Sequence, residues 1–222
     1  VKEKADFGIV VDPDVDRLAF ICEDGTMFGE EYTLVAVSDY VLSKTPGNTV
    51  SNLSSTRALR DVTIKHKGHY EASSVGEVNV VEKMKATNAI IGGEGNGGII
   101  YPELHYGRDA LVGIALFLTQ LAEREISVKK LRDSYPNYFI SKNKIELTSK
   151  INVDAILSTL EQKYKSEHIT TIDGLKIDFE DGWVHLRKSN TEPIIRIYAE
   201  SEGEAKANSF ANKMINEIKV LV

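Results

Sequence analysis

The sequence predicts an α/β protein in two parts: a three-layer α/β domain with a mixed sheet, then a smaller α+β domain with an open antiparallel sheet covered by helices. Three observations carry this. Between residues 31 and 126, stretches with helical apolar spacing alternate with short β-branched runs, the pattern of helices laid on both faces of a sheet. After residues 134–143 the texture changes to strand, helix, clustered strands and a closing helix. The 222 residues exceed one average domain and suffice for two small ones.

The elements follow in order. DFGIVV (6–11) is apolar and β-branched and ends before Pro13, as a short buried strand does. LAFICEDGTMFG reads as a hairpin turning at Asp24-Gly25. EYTLVAVSDYVLS (31–43) has helical spacing, NTVSNLSS makes a short strand around Val50 and Leu53, and TRALRDVTIKHKG a helix ending at Gly68. EVNVVEKMKATN is a further helix, followed by the strand NAIIG. In RDALVGIALFLTQLAERE, Leu111, Ile114, Ala115, Leu118 and Leu121 are expected to form the inward face. SYPNYFISKN (134–143) is the expected linker. Beyond it come KIEL as strand and VDAILSTLEQKYKS as helix, with Ile156, Leu157, Leu160 and Tyr164 inward. LKIDFEDGWVHLR pairs two strands around Asp181-Gly182, and IIRIYAE is a third. The last helix presents Phe210, Met214, Ile218 and Leu221, and the spacing of Ser201 and Glu204 suggests a capping box.

Composition narrows the function. With 42% hydrophobic and 27% charged residues the chain has the make-up of a soluble globular protein. No apolar run approaches the ~20 residues of a membrane-spanning helix. A net charge of -6 argues against nucleic acid as partner. The lone cysteine, Cys22, excludes internal disulfides and fits a reducing cytoplasm, where it is expected to be a buried strand residue. The start, VKEKADFG, has neither a methionine nor the layout of a signal peptide, so the chain is expected to be part of a longer one.

Three loops carry chemistry. In DPDVDR, Asp12, Asp14 and Asp16 crowd into five residues after an apolar strand. Each charge raises the cost of ionising the next, a conflict that a hard divalent cation with oxygen ligands removes. A solvated acidic turn is the plain alternative. An EF-hand would place Asp12, Asp14, Asp16 and Glu23 at its first, third, fifth and last ligand positions, but Arg17 stands where glycine is required. A haloacid-dehalogenase-type phosphatase with Asp12 as nucleophile would need a later Gly-Asp-x-x-x-Asp string, which is missing. GGEGNGG (92–98) contains G-x-G-x-x-G, yet no helix opens after it and Pro102 intervenes, so a dinucleotide site is rejected. Against a plain flexible turn, the functional reading is an exposed loop holding Glu94 and Asn96 at its tip for sugar hydroxyls. RKSNTEPIIR (187–196) joins two strands with more residues than a hairpin needs. Its Ser189, Asn190 and Thr191, flanked by Arg187 and Arg196, suit a phosphate better than a plain connection.

Taken together, the loops resemble the α-D-phosphohexomutase superfamily, which includes phosphoglucomutase, phosphomannomutase and phosphoglucosamine mutase. DPDVDR resembles its metal loop, usually Asp-Gly-Asp-Gly-Asp-Arg. GEGNGG resembles its sugar loop, commonly Gly-Glu-x-Ser-Gly-His, and RKSNTEP its phosphate loop, Arg-x-Ser-(Asn/Gly)-Thr-Glu-Pro. The resemblance covers essentially the whole chain. It implies the end of a second domain over 1–29, a third, sugar-binding domain over 30–135, and a phosphate-binding fourth over 141–222. It further implies Mg2+ on Asp12, Asp14 and Asp16, Arg17 as a charge-stabilising catalytic residue, and Glu94 and Asn96 on the sugar. Arg187, Ser189, Asn190, Thr191 and Arg196 would hold the phosphate. The implied activity interconverts 1-phospho and 6-phospho sugars through a bisphosphate sugar. The phosphoserine of that reaction belongs to a first domain that nothing here resembles, so the chain is expected to bind but not turn over alone. Two departures stand out: Gly98 and Asn96 replace the usual histidine and serine. Glu77, in SSVGE, stands where some relatives have a histidine, and is either a general base or a surface glutamate.

Overall fold

A computed structural model describes residue 2 and residues 4–146, 152–189 and 192–221. The chain divides into two compact units, Val1–Pro136 and Asn137–Val222.

The first unit opens with β1 (Gly8–Val11) and β2 (Leu18–Ile21), an antiparallel pair in which Val11 faces Leu18. The aspartates therefore lie in the connection between two paired strands. The expected hairpin within 18–29 forms over a short length: the Gly25 amide donates to the Cys22 carbonyl at the turn, the Cys22 amide donates to the Thr26 carbonyl at 2.8 Å, the Phe28 amide to the Phe20 carbonyl at 3.0 Å, and an antiparallel bridge links Ile21 to Met27. Next come α1 (Glu30–Lys44), β3 (Asn48–Asn52), α2 (Ala58–Lys65), β4 (Tyr70–Ser73), α3 (Glu77–Thr87), β5 (Ala89–Glu94), β6 (Gly98–Ile100), α4 (Ala110–Arg124) and α5 (Val128–Asp133). The sheet runs β4-β3-β5-β6, with β3 parallel to β4 and β5, and β6 antiparallel to β5. It is a mixed sheet, as expected. Adjacent residues of a strand face opposite sides. A Cβ at Gly92 would meet Met84 of α3, and one at Gly93 would come near Leu34 of α1. Helices thus cover both faces, and the layers number three.

The inward face of α4 differs from expectation. Ala110, Gly113, Phe117 and Gln120 are buried, whereas Leu111 is 65% exposed and Leu118 is exposed as well. The helix is apolar on nearly every side, so periodicity alone could not choose the face. Packing chooses it: Phe117 stacks on Phe20 with ring centroids 3.8 Å apart, and Phe28 meets both rings edge-on. Gly113 leaves room for Leu18 and Ile99.

The second unit contains β7 (Phe139–Glu146), α6 (Val153–Lys163), β8 (His168–Thr170), β9 (Leu175–Phe179), β10 (Gly182–Lys188), β11 (Ile194–Ser201) and α7 (Glu204–Leu221). Its sheet, β7-β11-β10-β9-β8, is antiparallel throughout. Residues 139–143, expected in the linker, are strand. The core joins Ile156 and Leu160 of α6 and Met214 and Ile218 of α7 to Val184, Leu186, Ile195 and Ile197 of the sheet. The capping box does not form. Ser201 still belongs to β11, and its hydroxyl donates to the Asp181 carbonyl at 2.7 Å. No helix among the described residues is long and apolar enough to cross a membrane.

Candidate functional site

The aspartate loop is wound tightly between β1 and β2. Asp12 Oδ1 accepts the amides of Asp16 and Arg17 at 3.2 and 3.0 Å, and the Val15 amide donates to the Asp12 carbonyl at 3.1 Å. This winding puts Val15 at φ 58°, in the left-handed region where a β-branched residue is strained. The winding also brings one carboxylate oxygen from each of Asp12, Asp14 and Asp16 within 4.8 Å of one another.

The carboxylates are unequal in their electrostatics, with Arg17 beside Asp12 and Asp16 and Arg108 paired with Asp16. The Arg17 amide, more than any other neighbour, draws the Asp12 carboxyl below the ordinary carboxylate range. Burial pushes Asp16 above it; Arg108 opposes this, and Asp12 and Asp14 add to it. Asp16 Oδ1 is buried without a hydrogen-bond partner, the Arg17 guanidinium lying 3.7 Å away. An orphaned carboxylate oxygen beside two further carboxylates fits an oxygen-loving cation well. The EF-hand alternative fails on structure as well, because strands rather than helices flank the loop.

The glycine loop is not the exposed tip that the sequence suggested. Glu94 is the last residue of β5 and only 5% exposed. Its Oε1 accepts from Asn52 Nδ2 at 2.9 Å and the Gly76 amide at 3.1 Å, while Oε2 accepts from Arg108 Nη1 at 3.3 Å. Asn96 turns inward, its Oδ1 accepting the Gly98 amide at 3.1 Å. The loop packs directly on the strand that leaves the aspartates. The Leu18 amide donates to the Gly97 carbonyl at 3.2 Å, and a Cβ on Gly97 (φ 85°) would lie 2.0 Å from the Leu18 carbonyl oxygen. The aspartate and glycine loops thus form one contiguous site.

Arg108, which sequence reasoning passed over, joins them. Its guanidinium pairs with Asp16, with Glu77 Oε2 at 3.2 Å and with Glu94 Oε2 at 3.3 Å. Its amide donates to Glu77 Oε1 at 3.0 Å. Glu77 is therefore engaged at both oxygens by one residue. Arg108's partners lie far away in sequence, and only its place before Asp109, the N-cap of α4, could have drawn notice.

In the second unit, Arg187 and Arg196 stand directly opposite each other on β10 and β11. Like charges in that position repel, and among the described residues the buried Nε atoms of both have no hydrogen-bond partner. Glu192 offsets part of the charge, accepting from Arg196 Nη2 at 3.0 Å. Ser189 is buried at the mouth of the turn, its amide donating to the Ile194 carbonyl and its Oγ accepting the Glu192 amide. Asn190 and Thr191 lie outside the described residues.

Two domains of one family match the chain: the phosphoglucomutase/phosphomannomutase α/β/α domain III over residues 29–138, and the C-terminal domain of the same family over 143–217. The chain belongs to the phosphoglucomutase/phosphomannomutase family. A phosphoglucosamine/phosphogalactosamine mutase of Sulfurisphaera tokodaii is 34% identical over 99% of this chain and 48% of its own length. A phosphoglucomutase/phosphomannomutase of Thermococcus kodakarensis is 36% identical over 93% of the chain and 45% of its own length. The chain thus spans about half the length of the curated relatives it matches. A Burkholderia thailandensis protein of the family shares the fold, with a TM-score of 0.81 at 24% identity over 97% of this chain and 47% of that one. An Aspergillus fumigatus N-acetylphosphoglucosamine mutase, solved with GlcNAc-6P and magnesium, superposes at a TM-score of 0.67 with 16% identity, over 96% of this chain and 52% of that one.

Proposed function

We propose that this chain is the C-terminal part of a phosphohexomutase that interconverts 1-phospho and 6-phospho sugars through a bisphosphate sugar. The sugar is glucosamine, glucose or mannose, in keeping with the names of its relatives. Residues 1–29 end the second domain, 30–135 form the third and 141–222 the fourth. The observation that carries the reading is the contiguity of the aspartate and glycine loops through Leu18 and Gly97: a cation site and a sugar site that touch are what phosphoryl transfer to a sugar needs.

In this reading Asp12, Asp14 and Asp16 hold a divalent cation, magnesium by its all-oxygen donors and by its presence in the Aspergillus relative. When bound, the cation offsets the negative charge that spreads over a phosphoryl group in transfer. Arg17, exposed beside the aspartates, adds positive charge on the same side. Glu94 accepts a sugar hydroxyl through Oε2, the oxygen with the lighter internal load. Asn96 lines the loop next to it. Arg187 and Arg196 grip the non-reacting phosphate between them, with Ser189, Asn190 and Thr191 supplying further donors. The phosphoserine and its domain belong to the remainder of the parent chain, so the piece alone binds without turning over. A cytoplasmic setting agrees with the single free cysteine.

Calorimetric titration with glucosamine 6-phosphate, glucose 6-phosphate and mannose 6-phosphate tests this. One of the three should bind the chain, and Arg187→Ala should lower that affinity at least tenfold, the loss of one charge-assisted bond pair. Equal binding by the variant would remove Arg187 from the phosphate site. Failure of all three sugars with the N-terminal half of a relative added back would overturn the mutase reading.

A further inference from the structure

Arg108 draws three carboxylates of different elements onto one guanidinium: Asp16 from the β1–β2 loop, Glu77 from the start of α3, and Glu94 from the end of β5. Its backbone is fixed on both sides. A bridge pairs it with Ile100, and the following Asp109 amide donates to the Ile99 carbonyl at 2.9 Å. The Ala110 amide then donates to the carbonyl of Val15, inside the aspartate loop, at 3.1 Å. The side chain is 16% exposed, and its stem lies across Gly98, where a Cβ would stand 2.5 Å from Arg108 Cδ. The glycine at 98 is what leaves room for the arginine.

The two oxygens of Asp16 have different surroundings. Oδ2 is held by Arg108, whereas Oδ1 is buried without a hydrogen-bond partner, with Arg17 Nε 3.7 Å away, and one carboxylate oxygen of Asp16 lies within 4.8 Å of one each from Asp12 and Asp14. A guanidinium fixed on one oxygen sets the plane of the carboxylate and therefore the direction of the other. The same guanidinium reaches Glu94 Oε2, the oxygen left for a sugar hydroxyl.

We propose that Arg108 is a positioning residue that orients Asp16 as a cation ligand and couples that ligand to the sugar-loop carboxylate Glu94. The proposal rests on the cation and sugar roles given above. Charge alone would have the opposite consequence: a fixed cation near the site weakens metal binding, so its removal would tighten it. Orientation requires that its removal weakens binding, by the ten- to hundredfold typical of groups that steer metal ligands. The sign of the change separates the two.

The test is Mn2+ binding to the 222-residue chain, followed by the electron-spin-resonance signal of the free ion, for the unmodified chain, Arg108→Lys, Arg108→Met and Asp16→Asn. Circular dichroism melting checks that each variant is folded, and Arg108→Lys keeps the charge should Arg108→Met fail to fold. The expected result is saturable binding by the unmodified chain, lost in Asp16→Asn and weakened at least tenfold both in Arg108→Met, where charge alone would tighten it, and in Arg108→Lys. Adding Glu94→Gln should shift Mn2+ affinity several-fold when Arg108 is present and leave it unchanged in Arg108→Lys. Affinity equal to or tighter than that of the unmodified chain in Arg108→Lys overturns the proposal while leaving the cation site standing. A Glu94→Gln effect that is absent, or the same in both backgrounds, overturns the coupling. No Mn2+ binding by the unmodified chain overturns the cation site, and the role of Arg108 with it.

Discussion

His185 makes the second unit sensitive to mild acid. It lies on β10 with 1% of its surface exposed, and Nε2 donates to the Asp173 carbonyl at 2.6 Å. Burial, joined by the charges of Lys176 and Arg187, outweighs that bond and drops its pKa from 6.5 to about 4. The unfolded chain then takes up a proton that the folded unit refuses. Stability is complete above pH 6.5 and falls as the pH goes down, until the folded form also protonates near pH 4. A gap of 2.5 between the two values corresponds to about 3 kcal/mol in all, of which about 2 kcal/mol is lost by pH 5. The only tryptophan, Trp183, is buried two residues away, so its fluorescence reports unfolding of this unit specifically. Urea melts followed by that fluorescence at pH 7.5 and pH 5 should show the loss. His185→Gln keeps an N–H donor and cannot titrate, so it should flatten the difference to the share contributed by carboxylates. Equal pH dependence in the two proteins would refute the assignment of the acid sensitivity to His185.

Val15→Gly should stabilise the first unit by about 1 kcal/mol: relief of a strained β-branched residue is worth roughly 1–3 kcal/mol, less the greater chain entropy of glycine. Urea melts followed by circular dichroism would read it, and destabilisation would mean that the Val15 side chain contributes more than its φ costs. Gly97→Ala should destabilise by about 2 kcal/mol or more, because the methyl meets the Leu18 carbonyl at a backbone angle unsuited to alanine; a neutral outcome in the same melts would disprove the close approach of the two loops. Burial pushes Asp39 up, but bonds from His66 and Arg124 and the charge of Lys65 overcome it and leave its carboxyl below the ordinary range. The resulting stability is present above the ordinary pKa and disappears as pH falls through the lowered one. Asp39→Asn should cost about 3 kcal/mol at pH 7 and remove this part of the acid unfolding, checked by melts at pH 7 and pH 3.

What could be read from the sequence was local. The runs around β3 and β5 and the helices α1, α3, α6 and α7 stand out because each repeats its own period, and the aspartate loop because three like charges within five residues demand an explanation. What could not be read depended on partners far away. The inward face of α4 is set by Phe20 and Phe28, from another part of the chain. The capping of α7 was lost to the Asp181 carbonyl, twenty residues before Ser201. Arg108 gave no sign beyond its place before the N-cap Asp109, since Glu94 and Glu77 lie 14 and 31 residues away. Gly98 was visible only as a departure from the family pattern; the stem of Arg108 supplies its reason.

The two opposed arginines have a consequence beyond recognition. A strand pair that places like charges face to face is held against its own repulsion whenever nothing anionic lies between them. Binding an anion there would relax that repulsion and raise the melting temperature of the unit in proportion to the logarithm of anion concentration. The β10–β11 pair would then report its own occupancy as stability, the unit opening more readily when no anion is bound.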